Sequence, residues 1–359
     1  MLCYVFLATI PLMNTQLLEQ IAHYLVSPGR GILAADESTG SANKRFAAVG
    51  VAETEDNRRR YRQILFTTPI ARDVLSGVIF YDETFWQNTD DGRPFRLFTA
   101  EAGIMPGIKV DEGLIDLPGF SNEKLTKGLD ALPERMANYR DNGAKFAKWR
   151  NVITIGEGIP TKECIDANAF VLARYARICQ DHDIVPIVEP EVLFDGTHII
   201  ERTEEVMANV FDVLFRMMKA YRVHLPGTIL KTSMVLPGKE SGIAIDTEDV
   251  ATRTVRVLHG HVPAELGGVV FLSGGQKSED ALKNLNAIAR KGPHPWGLTF
   301  SYSRALQDPV LRHWAGAQED ITGSQNIFTE QLRMAADARE GRLASGATSD
   351  TFVSGSQDL

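Results

Sequence analysis

The chain alternates between short, β-branched apolar runs and longer stretches in which apolar residues recur at helical spacing. The runs are Gly31–Glu37, Gly77–Glu83, Pro106–Asp111, Phe146–Ile153, Ile184–Val192, Thr228–Val235, Gly268–Gly275 and Trp296–Ser303. Apolar runs of this length, bounded by polar loops, predict buried strands. Between them Thr161–Gln180, Arg202–Tyr221, Thr247–His259 and Ser278–Arg290 predict amphipathic helices, and Gln16–Val26 predicts another ahead of the first strand. The helix at Ser278 opens with a capping hydroxyl and then Glu279 and Asp280, acids where a helix N-terminus favours them. Strand–helix alternation predicts a parallel sheet, and eight units predict a closed α/β TIM (β/α)8 barrel in a single domain. No Pro/Gly-rich linker divides the chain. The expected boundaries are 1–20 for an N-terminal extension, 21–335 for the barrel and 336–359 for a mobile tail, small, polar and Gly/Ser-rich after Gly341.

A packed barrel interior is lined by branched apolar side chains, and active sites sit at the C-terminal ends of its strands. Here those ends carry ionisable or phosphate-friendly residues: Asp36, Lys109, Lys148 with Arg150, Glu189 with Glu191, Lys231, Ser273-Gly274-Gly275, and Ser301 followed by Arg304. Residues i and i+2 of a strand share a face, so Lys148/Arg150 and Glu189/Glu191 each present two like charges to one side. A buried ion costs several kcal/mol unless it is paired, which marks such positions as a site. Lys109, Lys148, Arg150, Lys231 and Arg304 against Asp36, Glu189 and Glu191 leave a cluster charge of +2. That suits an anionic substrate such as a phosphomonoester, which carries about −1.5 to −2 at pH 7. Ser-Gly-Gly ahead of a helix offers backbone N–H groups where such barrels hold phosphate. An amine in this setting is expected to have its pKa pushed down by desolvation and like charge. As a neutral nucleophile it forms a Schiff base with a carbonyl, and neighbouring carboxylates move the protons.

Composition removes other classes. A net charge of −8 over 359 residues argues against wrapping nucleic acid. Cys3, Cys164 and Cys179 fall at no C-x-x-C spacing, so neither a disulfide framework nor a thiolate metal site is indicated and a cytoplasmic home is expected. His259 and His261 lack a third ligand and are expected to cap a helix end or lie on the surface; no metal and no cofactor is expected. The apolar Met1–Met13 has no Lys or Arg before it and is too short to span a bilayer, so no membrane partner is expected, and Met13 is an alternative start. No G-x-G-x-x-G follows a strand and no P-loop occurs.

The runs GILAADESTGS (31–41), DDGRPF (90–95), GIKVD (107–111), FAKWR (146–150), IVPIVEPE (184–191), FLSGGQ (271–276), LNAI (285–288) and LTFSYSRALQ (298–307) together resemble class I fructose-bisphosphate aldolase, over roughly Ile21 to Trp314. The resemblance implies reversible cleavage of fructose 1,6-bisphosphate to dihydroxyacetone phosphate and glyceraldehyde 3-phosphate, without a metal. It implies Lys231 as the Schiff-base lysine and Glu189 as proton donor and acceptor during imine formation. Glu191 would position the lysine, Asp36 would take the C4 hydroxyl proton, and Lys148 would assist electrostatically. Ser273, Gly274, Gly275, Ser301 and Arg304 would serve the ketone-side phosphate. Ser38, Ser41, Arg45 and Lys109 would meet the far phosphate, with Arg150 lining the same mouth. A homo-oligomer, commonly a tetramer in this family, is expected by analogy alone.

Three features depart from the family pattern. Thr232-Ser233 stand where members commonly have Pro-Asn after the lysine, and Ser303 stands where they have glycine. The added Ser303 side chain either crowds a phosphate or contributes a hydroxyl to it. No tyrosine follows Tyr302, so the terminal tyrosine that aids enamine protonation in animal members has no counterpart. Two alternatives stay open: another Schiff-base barrel aldolase, acting on deoxy- or seven-carbon sugar phosphates, and a barrel scaffold without catalysis.

Overall fold

The computed structural model describes residues 13–344; the Met1 or Met13 question and the tail from 345 onward lie outside the described residues. Eight apolar runs become eight parallel strands: β1 (Gly31–Ala35), β2 (Leu75–Phe80), β3 (Met105–Lys109), β4 (Phe146–Ile153), β5 (Val185–Val192), β6 (Ile229–Thr232), β7 (Gly268–Phe271) and β8 (Leu298–Tyr302). Each pairs with the next in sequence, and β8 returns to β1 through Ile32↔Ser301 and Leu33↔Tyr302, closing the barrel. It is a single-domain (β/α)8 barrel. The helices wrap the outside, their apolar faces meeting residues such as Leu33, Trp149, Val188 and Leu230 in one continuous core.

Inside the barrel a smaller core gathers Ile32, Ala34, Ile79, Phe146, Ile187, Ile229 and Val270. The Phe146 ring fills so much of this space that neighbouring strands have no room for a side chain. A Cβ added to Gly107 would lie 2.2 Å from that ring, and one added to Gly77 2.9 Å from it. The helix Thr15–Leu25, capped by Asn14, closes the floor with Leu18, Ile21, Ala22 and Leu25.

Two domain boundaries therefore shift. Residues 15–20 are not an extension, because Leu18 is fully buried in the floor. The barrel also does not end at 335: the helix Ile321–Arg339 continues past it, Ala338 is buried, and Arg339 Nη2 donates to Val26 O at 2.9 Å. The five expected helices form within two residues of their expected ends. Ser278 is the first helical residue instead of the cap, and Lys277 takes the cap position without a side-chain bond. Short helices at Asp82–Trp86 and Leu132–Asp141 and a hairpin pairing Leu114–Asp116 with Lys124–Thr126 were not predicted, being too brief to carry a period.

Candidate active site

Alternation along the strands explains where the site lies. On each of four strands the inward positions run from apolar at the floor to charged at the top: Ile32, Ala34, Asp36; Phe146, Lys148, Arg150; Ile187, Glu189, Glu191; Ile229, Lys231. The charges converge on one cavity of about 900 Å³ at the C-terminal end of the barrel. Of the sixteen residues expected in the site, all but Gly275 line it, and Gly275 stands beside Arg304, whose Nη2 would be 3.5 Å from an added Cβ.

At the foot of the cavity four buried ions form a chain. Lys231 Nζ lies 3.2 Å from Glu189 Oε1, Lys148 Nζ is 3.2 Å from Glu189 Oε2, and the same ammonium is 2.6 Å from Asp36 Oδ2. Each of the four residues is under 10% exposed. Burial alone would raise the Asp36 pKa, but Lys148, Lys231 and Lys109 outweigh it and hold the carboxyl down at about 2. Burial works against the Lys148 ammonium as well; Asp36 and Glu189 overcome it and push its pKa above the ordinary lysine range. Asp36 is thus a carboxylate and Lys148 an ammonium at any working pH.

Glu191 does not reach Lys231. It lies two residues, about 7 Å, farther along β5 than Glu189, and pairs instead with Arg150 at 2.5 Å, raising the arginine's pKa against burial. The register of β4 and β5, with Arg150 opposite Glu189, brings the two like-charged pairs into opposite-charge contact. Nearer solvent, Lys109 Nζ sits 2.6 Å from Asp111 Oδ1. Ser38 caps the helix Thr39–Ala48, accepting from Ser41 N, and its hydroxyl donates to Ser41 Oγ. Arg45 is engaged by carboxylates, Glu37 at 2.5 Å and Asp308 at 2.9 Å. Gly274 and Gly275 take φ of +59° and +90° in the turn after β7, a left-handed path that glycine adopts without strain. Ser301 Oγ is buried without a partner. Arg304 is exposed and makes no ion pair among the described residues. His259 and His261 lie in the last turn of the helix Thr247–His261, bonded to His294 and Asp212 and absent from the cavity lining.

Several lining residues escaped the sequence reading: Glu37, Lys44, Asp82, Asp111, Glu112 and Arg135. They stand on loops or helices, where no strand period singles them out. Asp111 and Glu37 were within the quoted motifs, and their adjacency to Lys109 and Asp36 was the available signal. With them counted, eight cations face seven carboxylates around the cavity, so its formal charge is +1 and not +2.

Among the described residues no helix is long and apolar enough to cross a membrane. The sequence model of the class-I fructose-bisphosphate aldolases matches residues 17–357. Fructose-bisphosphate aldolase 4, cytosolic, from Arabidopsis thaliana is 46% identical over 92% of this chain and 86% of its own length. The fructose-bisphosphate aldolase of Drosophila melanogaster is 47% identical over 92% of each chain. A co-crystal structure of the fructose-bisphosphate aldolase from Plasmodium falciparum superposes with a TM-score of 0.91 at 44% identity, covering 92% of this chain and 96% of that one. The chain belongs to the class-I fructose-bisphosphate aldolase family.

Proposed function

We propose that this protein is a lyase that reversibly cleaves fructose 1,6-bisphosphate to dihydroxyacetone phosphate and glyceraldehyde 3-phosphate through a Schiff base on Lys231. The observation that carries the reading is the buried chain Lys231–Glu189–Lys148–Asp36 at the foot of a cavity lined by phosphate-friendly residues.

The chemistry follows from that order. Lys231 gives up a proton, for which Glu189 is the nearest acceptor, and its amine attacks the ketone carbon. Glu189 returns the proton to the departing hydroxyl, and water leaves to give the iminium. Asp36 takes the proton of the C4 hydroxyl; the C3–C4 bond breaks, its electron pair flows into the iminium, and the aldehyde departs from an enamine. Protonation at C3 and hydrolysis then release the ketone and restore Lys231. A carboxylate held at about 2 is a weak base, so Asp36 needs the Lys148 ammonium to shift toward Glu189 as the C4 proton arrives. Lys148 touches both carboxylates and is placed for that shift. Gly274, Gly275, Ser273, Ser301 and the unpaired Arg304 serve the ketone-side phosphate; Ser38, Ser41, Lys109 and Arg45 serve the far one.

Borohydride reduction in the presence of dihydroxyacetone phosphate, followed by peptide mass analysis, tests the reading. A reduced adduct on Lys231 is expected; a label elsewhere, or none, overturns it. Cleavage of fructose 1,6-bisphosphate well ahead of fructose 1-phosphate is expected as well, and indifference between them would favour another Schiff-base aldolase. Because the electron sink is the iminium, EDTA should leave the rate unchanged. The enzyme is proposed to be cytoplasmic, as the names of its relatives are, and homo-oligomeric, a tetramer by family analogy; light scattering after size exclusion tests the latter.

A further inference from the structure

Ser303 does not offer its hydroxyl to the cavity. Its only hydroxyl proton is donated to Glu37 Oε1. The same oxygen accepts from Arg45 Nη1 at 2.5 Å and from Gln307 Nε2 at 3.1 Å, and Gln307 Nε2 also lies 3.2 Å from Ser303 Oγ. Glu37 is therefore the centre of a knot between two parts of the site that are far apart in sequence. One part is the end of β8, with Ser301, Ser303 and Arg304; the other is the loop after β1, with Glu37, Ser38 and the helix bearing Ser41 and Arg45. We infer that Ser303 is a positioning residue that sets discrimination between bisphosphate and monophosphate, by fixing through Glu37 the residues that meet the far phosphate. The inference rests on the aldolase reading above.

The two ends of the knot differ in rigidity, and this gives the effect its direction. Ser303 is held between the paired strand β8, with Tyr302 opposite Leu33, and the helix Arg304–Gly316. Glu37 stands in the loop between Ala35 and the helix Thr39–Ala48; its carbonyl accepts from the buried Arg62 Nη2 at 2.7 Å, and its carboxylate is held by Ser303, Gln307 and Arg45. Of its immediate neighbours, Asp36 is clamped by Lys148, whereas Ser38 is held by its local cap. When the hydroxyl is lost, the Glu37 carboxylate shifts and takes with it Arg45, the far-phosphate cation it pairs with. A ketone-side phosphate is spared, because its residues lie on the rigid side. Fructose 1-phosphate lacks the far phosphate and is the natural control.

Steady-state kinetics of Ser303→Ala and Ser303→Thr on the two sugars test this. For Ser303→Ala, KM for fructose 1,6-bisphosphate should rise about three- to ten-fold, the loss of one hydrogen-bonded restraint. KM for fructose 1-phosphate and both kcat values should stay within about two-fold. Ser303→Thr keeps the hydroxyl and should retain the wild-type ratio of the two KM values. In a Glu37→Ala background, Ser303→Ala should add nothing, since the residue acts through Glu37. Equal KM changes for the two sugars, no change, or failure of threonine to rescue would overturn the inference while leaving the aldolase reading intact. A wild-type protein that does not cleave the bisphosphate would overturn both.

Discussion

The pair Asp36–Lys148 is where burial and charge oppose each other most directly. Desolvation penalises both ions, yet each keeps its charge because the other lies 2.6 Å away. Removing one partner leaves the other buried and unpaired, which is the costly case. Lys148→Met should let burial push Asp36 upward, so the acidic limb of the kcat/KM profile should move to higher pH by at least about one unit. A limb that stays in place would mean that Lys231 and Lys109 suffice to hold Asp36 ionised. Asp36→Asn should lower kcat by about 10²- to 10⁴-fold if the residue is the base for the C4 hydroxyl. The same pair contributes to stability with a definite pH sense. The folded pKa of Asp36, about 2, lies below its ordinary 3.8. Its contribution, about 2 kcal/mol by linkage, is therefore present above pH 3.8 and lost as pH falls toward 2. Lys148, shifted upward, loses the same contribution only as pH rises beyond the ordinary lysine range. Urea unfolding of wild type and Asp36→Asn should thus differ by a constant amount from pH 5 to 8 and converge below pH 4. A gap that persists at low pH would assign it to packing.

At the scale of strands, the barrel floor and the catalytic top are alternate outcomes of one period-2 pattern, and this decided how much could be read in advance. Phe146-x-Lys148-x-Arg150 and Ile187-x-Glu189-x-Glu191 announce a face that changes from apolar to charged, so the strands and the four central ions were legible. Partnership was not. Nothing in the spacing says that Glu191 meets Arg150 and misses Lys231, or that Arg45 pairs with Glu37 and Asp308; those follow from strand register and from loops that carry no period. The floor was equally hidden, because Gly77 and Gly107 look like ordinary strand ends until the Phe146 ring is seen between them. That fit makes a sharp prediction. Gly107→Ala places a methyl within 2.2 Å of the ring, and should lower stability by about 1–3 kcal/mol, the usual range for overpacking. Adding Phe146→Leu should recover part of the loss. If the double variant is no more stable than Gly107→Ala alone, the clash is with something other than the ring. Urea midpoints at constant m-value decide between the two.

Over the whole molecule the electrostatics run against the substrate. The formal charge is −8 at pH 7, while the cavity stands at +1. A bisphosphate carries about −3 to −4, twice the charge of one phosphomonoester, so the protein repels it from a distance and holds it only at the mouth. Salt separates these two fields. The Debye length is about 30 Å at 0.01 M, about 10 Å at 0.1 M and about 3 Å at 1 M. The first step screens charges spread across the molecule; the second reaches the short contacts inside the cavity. In sodium chloride, KM for fructose 1,6-bisphosphate should therefore fall slightly from 0.01 to 0.1 M and rise several-fold toward 1 M, and fructose 1-phosphate should follow with smaller excursions. A KM that instead climbs steeply from the lowest salt would mean that the cations of the mouth dominate the field. Their carboxylate partners Glu37, Asp111 and Asp308 would then have to yield when phosphate arrives, and Arg45 and Lys109 would act as released ligands rather than as fixed struts.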